Sequence, residues 1–524
     1  MKFKIIVLST LFISTMVISC TKLDEKFKGD LSTQSVSGGG SSNTDALLKG
    51  VYNSMQSTFQ DQANAYALEE MTTDALIGPT RGPDWDDNGA WRVLHAHKWD
   101  GENVHLRDVF NQLLGTVFAA TNLLQFDATS SKASEARFLR AFANFMVLQG
   151  WDQVPYREPG ESTLVPSKVR KGTAALDYII SEINTVLPTL PDGPAGKANK
   201  NAARVLLMKC YLSKGVVTNR AAPTFAAADM NQVIALADQI INSSAAYTYS
   251  ANYFDNFAPT NTLIGKENIW VQENVAGASG STGPTVRSRY HSTMHYNQNP
   301  GGWNGFTTLS DFYGKFEASD KRRGLAYPTP GLPNPGNRIN VGFLIGQQYN
   351  WANDAPLTYT AANLPLVFTP SVKLIEVGSN LEVTGIRAFK YPIDYPNDNS
   401  GNIDNDYVYF RLADVLLMKA EAILRGGTGT VAGSYGNTAL LIVNSIRLNR
   451  SATILGSVTL DILLDERARE LYLESWRRQD LIRFGKFLAP FQEKNYTSDP
   501  KYLLFAIPNQ QLAVNPNLTP NPGY

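Results

Sequence analysis

Apolar residues recur at helical spacing over 104–126, 133–150, 174–187, 202–214 and 226–241, then stop, and return only over 407–425, 438–450 and 460–487. Each such stripe has to be buried against a neighbour. Short links between successive stripes turn the chain back on itself, which predicts stacked antiparallel hairpins, as in helical solenoids. In the 202–212 segment Ala202 and Ala203 permit close helix contact, while Leu206, Leu207, Cys210 and Tyr211 share a face. Cys210 is therefore read as a small buried hydrophobe. From about 247 to 405 Gly, Pro, Asn and aromatic residues dominate, and pieces such as Asn268–Gln272 read as single short strands. This stretch is an insertion on the helical scaffold, and long irregular insertions are usually functional. The length would allow three or four domains, but one scaffold interrupted by one insertion makes a single domain.

The start of the chain has its own logic. Lys2 and Lys4 precede an uncharged run from Ile5 to Ile18, too short for a bilayer core that takes about 20 helical residues. A basic start, a short apolar run and small residues make a secretory signal. The run closes on Val17-Ile18-Ser19-Cys20, which resembles the lipobox of bacterial lipoproteins. That resemblance implies cleavage before Cys20 and acylation of its thiol, with 1–19 as signal peptide and 20–42 as a lipidated, Gly/Ser-containing tether. The alternative is an ordinary signal peptide with a chance cysteine. Lys+Arg and Asp+Glu stand at 47 each, and loss of Lys2 and Lys4 leaves a nearly neutral body. Such a balance argues against nucleic-acid binding and suits an uncharged ligand.

Several segments then converge. Glu135-Ala136-Arg137-Phe138-Leu139-Arg140-Ala141-Phe142 leads to Gln153-Val154-Pro155-Tyr156, and Arg411–Ala422 carries Asp414 and Glu421. Glu466-Arg467-Ala468-Arg469-Glu470-Leu471-Tyr472-Leu473-Glu474 is followed by Arg478-Gln479-Asp480-Leu481-Ile482-Arg483, and the chain ends on Asn515-Pro516-Asn517-Leu518-Thr519-Pro520-Asn521-Pro522-Gly523-Tyr524. In this order they resemble the SusD/RagB-like lipoproteins. The resemblance implies a mainly α fold, with tetratricopeptide-like helical hairpins over about 43–246 and 406–490, a loop-rich insertion over about 247–405 and an extended C-terminal segment over 491–524. It also implies a surface-exposed outer-membrane lipoprotein of a Gram-negative bacterium. Such a protein is held to the membrane through its lipid anchor only, and passes oligosaccharides, or peptides in some members, to a SusC-like TonB-dependent transporter. It would bind rather than catalyse.

Glu466, Glu470 and Glu474 fall on one helical stripe, with Arg467 and Arg469 within reach across the turns and Asp480 one turn from Arg483. They read as an ion-pair lattice, and Asp414 and Glu421 read the same way. A sugar needs aromatic rings for its C–H face and planar polar partners for its hydroxyls. The 74–99 stretch supplies both in Asp74, Arg81, Asp84, Trp85, Asp86, Asp87, Asn88, Trp91 and Trp99. A second group is Arg287, Arg289, Tyr290, His291, His295, Tyr296 and Asn297, then Trp303, Asn304 and Phe306. The ligand-binding set expected from these is Asp74, Arg81, Trp85, Asn88, Trp91, Tyr290, Tyr296 and Trp303, with Trp303 and Tyr290 or Tyr296 as platform rings facing Trp85 or Trp91. Trp151, Trp270 and Trp476 read as core, and Trp351 is open.

No catalytic residue, metal or cofactor is expected. His291 and His295 have zincin spacing without its Glu, and His95 and His97 lack a third ligand. Asp394, Asp398, Asn402, Asp404 and Asp406 read as a solvated turn, with structural calcium the alternative. A lipid-anchored glycosidase using Asp84, Asp86 or Asp87 is the remaining enzymatic reading, and a peptide is the other ligand class.

Overall fold

The computed structural model describes residues 40–81, 85–277, 285–328, 338–360, 362–398 and 401–524. Cys20 and Asp84 lie outside the described residues. The segment Thr44–Tyr524 is one compact unit. Its scaffold begins with helices α1 (Gly40–Gln60), α2 (Val104–Phe126), α3 (Ser131–Trp151), α4 (Gly172–Val186), α5 (Lys200–Thr218) and α6 (Ala227–Ile241). It resumes with α7 (Leu412–Leu424), α8 (Ala439–Asn449), α9 (Leu460–Leu471) and α10 (Arg477–Arg483). Each helix from α2 to α6 packs on the next, and α6 packs on α7. The scaffold thus closes across the insertion as if it were absent.

Polar caps fix where these helices start. Asn103, Ser130, Asn199, Thr438 and Thr459 each accept a backbone N–H from the first turn of α2, α3, α5, α8 and α9. Each cap satisfies a donor that the helix leaves unpaired. Cys210 is fully buried in α5, and Trp151, Trp270, Trp476 and also Trp351 are core residues. No helix among the described residues is long and apolar enough to cross a membrane.

Two sequence expectations are corrected. The helix expected over 407–425 begins only at Leu412, because Tyr407–Arg411 is a strand paired antiparallel with Asn268–Gln272. The single helix expected over 460–487 is α9 and α10, separated where Leu473 (φ 58°) and Ser475 (φ 65°) adopt left-handed backbone. Within the insertion the described strands are short and form sheets of two or three strands, such as Arg387–Phe389 against Val341–Leu344.

The expected Glu stripe is a buried ion-pair lattice, with Glu466 and Glu470 on α9 and Glu474 in the turn beyond its end. Glu470 Oε2 accepts from Arg322 at 2.9 Å, while its Oε1 accepts from Arg411 at 2.7 Å and Arg450 at 2.9 Å. Glu466 meets Arg322, Arg447 and Arg469, each at 2.7 Å. Glu474 meets Arg411 at 2.7 Å and also Lys390. Arg469 also donates to the Lys315 carbonyl at 3.2 Å, and Arg467 reaches Asp414 at 3.0 Å and Asp480 at 2.8 Å. Asp480 also meets Arg483 at 2.7 Å, and Glu421 is held by Arg425 and Arg483 at 2.8 Å each. A buried lattice of this kind is costly to break at any single member.

Candidate functional site

Three chain segments far apart in sequence are laced together by backbone hydrogen bonds. Ile77 and Thr307 exchange bonds of 2.8 and 2.9 Å, and Thr308 donates to the Ile386 carbonyl at 2.9 Å. The side chains just beyond these anchors therefore converge on one surface: Arg81 and Trp85 from the first segment, Trp303 from the second and Glu382 from the third.

Trp85 and Trp303 form the centre. The Trp85 indole N–H donates to the Trp303 carbonyl at 2.7 Å. The two rings lie with centroids 6.4 Å apart at 28°, and Phe306 meets Trp85 edge-on at 4.9 Å. The Trp85 ring lies so close to the backbone that a Cβ on Gly305 would sit 2.3 Å from it, so only glycine fits there. Trp85 (φ 60°), Asp87 (φ 42°) and Asn88 (φ 53°) all have left-handed backbone, a strained run that must be over-determined by its contacts to persist. Trp303 is 37% exposed and Tyr296 43% exposed. They sit on one tight turn, in which Gly302 donates to the His295 carbonyl at 3.0 Å and Asn304 to the Met294 carbonyl at 2.7 Å.

Buried groups hold this surface from beneath. Asn304 Oδ1 accepts from Arg81 at 3.2 Å and Arg387 at 2.7 Å. The same two guanidiniums bind the carbonyls of Glu382 and Thr384, clamping that loop. Burial lowers the Arg81 pKa to about 10, which leaves it charged at neutral pH. His295 accepts the Asn297 N–H on Nδ1 at 3.1 Å and faces Glu382 through Nε2 at 3.0 Å. Burial pushes His295 down to about 4, despite Glu382. It is therefore a neutral donor to a carboxylate that remains 41% exposed.

Of the residues expected to touch ligand, the structure leaves Trp85, Trp303, Tyr296 and Asn88 at or near the surface. It withdraws the others. Tyr290 is fully buried and donates its hydroxyl to Asp398 at 2.7 Å, so it is no platform. Trp91 is 4% exposed, packed on His105 with centroids 4.2 Å apart and bonded to Asp87. It backs the cluster rather than facing out of it. Arg81 is spent on the loop clamp just described. Asp74 forms a two-point pair with Arg477, 2.7 Å on each oxygen. Burial opposes its charge, but Arg477 outweighs burial and holds the Asp74 carboxyl below the usual range. Trp99, expected in a loop cluster, is core. Asn304 was in the second candidate group, whereas Glu382 and Arg387 were missed, since nothing in the local sequence distinguishes them from other loop residues. Only the register of the three laced segments reveals them.

The other candidate groups among the described residues are engaged by neighbours. Asp86 pairs with Arg92 at 2.7 Å, and Asp87 accepts from Trp91. His97 is fixed between the Thr72 carbonyl at 2.7 Å and Ser498 at 2.8 Å, and His95 faces the Gln492 carbonyl. In the acidic loop Asp394 accepts from Asn397 and from the Asp404 N–H, Asp404 from the Ala276 N–H, and Asp406 from the Asn274 N–H. Among the described residues no three His, Cys, Asp or Glu side chains are grouped to hold a metal. A cavity of about 230 Å³ lined by Leu114, Phe118, Asn122, Tyr156 and Ser167 shares no residue with the aromatic cluster. The cluster is an open shelf: two half-exposed ring systems with a carboxylate and an amide at its rim. Such a surface grips a flat apolar face while meeting hydroxyls around it.

Residues 266–524 match the model of the SusD family. The chain is 27% identical over 432 residues to the starch-binding protein SusD of Bacteroides thetaiotaomicron, covering 76% of this chain and 73% of that protein. It is 24% identical over 462 residues to SusD-like protein P25 of Formosa agariphila, covering 80% and 79%. Among solved structures, it is similar to a laminarin-binding SusD-like protein with TM-score 0.68 at 18% identity, over 92% of this chain and 99% of that one. Surface glycan-binding protein A from Bacteroides uniformis matches with TM-score 0.66 at 18% identity, over 91% and 99%. At such identities these structures speak for a shared fold.

Proposed function

The chain belongs to the SusD family, and from that premise we propose that it captures a neutral oligo- or polysaccharide on the Trp85–Trp303–Tyr296 shelf and passes it to a SusC-like TonB-dependent transporter for import. In this reading Cys20 carries the lipid that tethers the protein to the outer surface of the outer membrane. The observation that carries the reading is the pairing of partly buried Trp85 with exposed Trp303, 218 residues apart in sequence. Pyranose rings present apolar C–H faces that pack on aromatic rings, and the Glu382 carboxylate, bonded to His295 but 41% exposed, and the exposed Asn88 amide can meet hydroxyls. Relatives named for starch, laminarin or glycan binding support the sugar class. The role is binding: the carboxylates near the shelf are engaged by Arg92, Trp91 and His295.

Native electrophoresis through gels containing amylopectin, laminarin or xyloglucan tests the ligand class. Retarded migration in at least one gel, with no release of reducing sugar, is expected. Unchanged migration in all three, with calorimetric binding of a peptide digest instead, would replace the sugar by a peptide.

A further inference from the structure

The turn that carries Trp303 is held by a histidine whose two ring nitrogens both face acceptors. His291 Nδ1 lies 3.0 Å from the Gly301 carbonyl oxygen, and Nε2 lies 2.9 Å from Asp398 Oδ1. A carbonyl and a carboxylate can only accept here, so both nitrogens must donate, and only the imidazolium does that. From the same residue, the His291 carbonyl accepts the Trp303 N–H at 2.6 Å, and the two rings lie 5.7 Å apart. His291 therefore touches the platform turn on both sides of Gly302, through Gly301 and Trp303. The His291 side chain is 4% exposed, beyond the reach of a ligand.

Asp398 is built to sustain that charge. It accepts from Tyr290 at 2.7 Å and from Arg287 at 3.1 Å in addition to His291. Burial opposes its ionisation, but the bonds from His291 and Tyr290 prevail and lower its carboxyl below the ordinary value. Burial and the adjacent carboxylates push the Tyr290 hydroxyl far up, so it stays neutral. The groups around the imidazole are thus Asp398 and, beyond Tyr290, Asp394 as anions, with Arg287 as the cation.

We propose that His291, charged and braced by Asp398, is a positioning residue that holds the Trp303 ring of the shelf in its ligand-ready orientation. This rests on the sugar-binding reading of that shelf. Loss of the Nδ1 proton would set a lone pair against the Gly301 carbonyl and loosen the turn.

The test uses the full protein labelled with ¹⁵N-histidine. It carries five histidines, and burial lowers His95 to about 4, His97 to about 3, His295 to about 4 and His105 below its ordinary value. One ring protonated on both nitrogens, absent in His291→Asn, is expected. Affinity for the retained polysaccharide should weaken about tenfold in His291→Ala, the worth of one charge-assisted bond. Exchange of the amides in 295–306 should quicken in the same variant. Asp398→Asn, which removes the anionic partner of Nε2, should quicken the same amides. In His291→Asn, whose amide still donates to Gly301, exchange should stay near that of wild type. A His291 ring carrying a single N–H, or amide exchange unchanged in His291→Ala, overturns the proposal. Exchange that quickens in His291→Ala while no polysaccharide is retained keeps the positioning unit and overturns the sugar reading instead.

Discussion

Two tryptophans 212 residues apart, in locally similar sequence, can have opposite jobs, and burial decides which. Trp91 and Trp303 both sit beside Gly and Asn, yet one is 4% and the other 37% exposed. Trp91→Ala should therefore cost about 3–5 kcal/mol of folding stability, as expected when a large buried ring is deleted. Trp303→Ala should cost no more than about 1 kcal/mol, since it mainly removes exposed surface. Urea unfolding of the two variants separates them, and equal losses would contradict the assignment of backing and platform rings. The aromatic richness of the site was legible in the sequence, but its orientation was not. Tyr290 points inward because the short helix Arg287–His291 aims it at Asp398, and Asp74 is consumed by Arg477, 403 residues away. Such partners are set by tertiary register, which local spacing does not encode.

At the level of elements the charged motifs were legible because their spacing is intrinsic to the helix. Glu466 and Glu470 share a face of α9, which the structure buries against Arg322, Arg411 and Arg450, while Glu474, expected on the same stripe, lies beyond the helix end and joins the lattice from the turn. The misread element, Tyr407–Arg411, joins directly to α7, so its period was absorbed into the following helix although its Tyr, Val and Phe content favours a strand. Glu470→Gln leaves buried guanidiniums short of a counter-charge and should destabilise the fold by about 3–5 kcal/mol. The lattice also predicts acid lability. Burial opposes ionisation of Glu421 and Glu466, but the guanidiniums of Arg483 and Arg322 dominate and hold both near about 2. Carboxyls depressed in this way contribute stability above the ordinary Glu range, and the contribution is lost as pH falls from about 4.5 toward about 2. Thermal unfolding across that window should show the steep decline, and a flat profile would mean the lattice carries little net energy.

In the molecule as a whole, helices on either side of the insertion pack as neighbours, α6 on α7, so the scaffold is continuous and the insertion is free to build a surface. The order of motifs along the chain made this fold class legible. The shelf was legible only as a list of candidates, because it depends on Ile77, Thr307, Thr308 and Ile386 bridging three distant segments. The central claim is that the Trp85–Trp303 pair is where sugar binds. Titration calorimetry of wild type against Trp85→Ala/Trp303→Ala, using the polysaccharide retained in the gels, tests it most directly. The account predicts measurable heat for wild type and none for the double variant, each stacked ring being worth about 0.5–1.5 kcal/mol beyond the area it covers. Undiminished affinity in a double variant that still folds would contradict it.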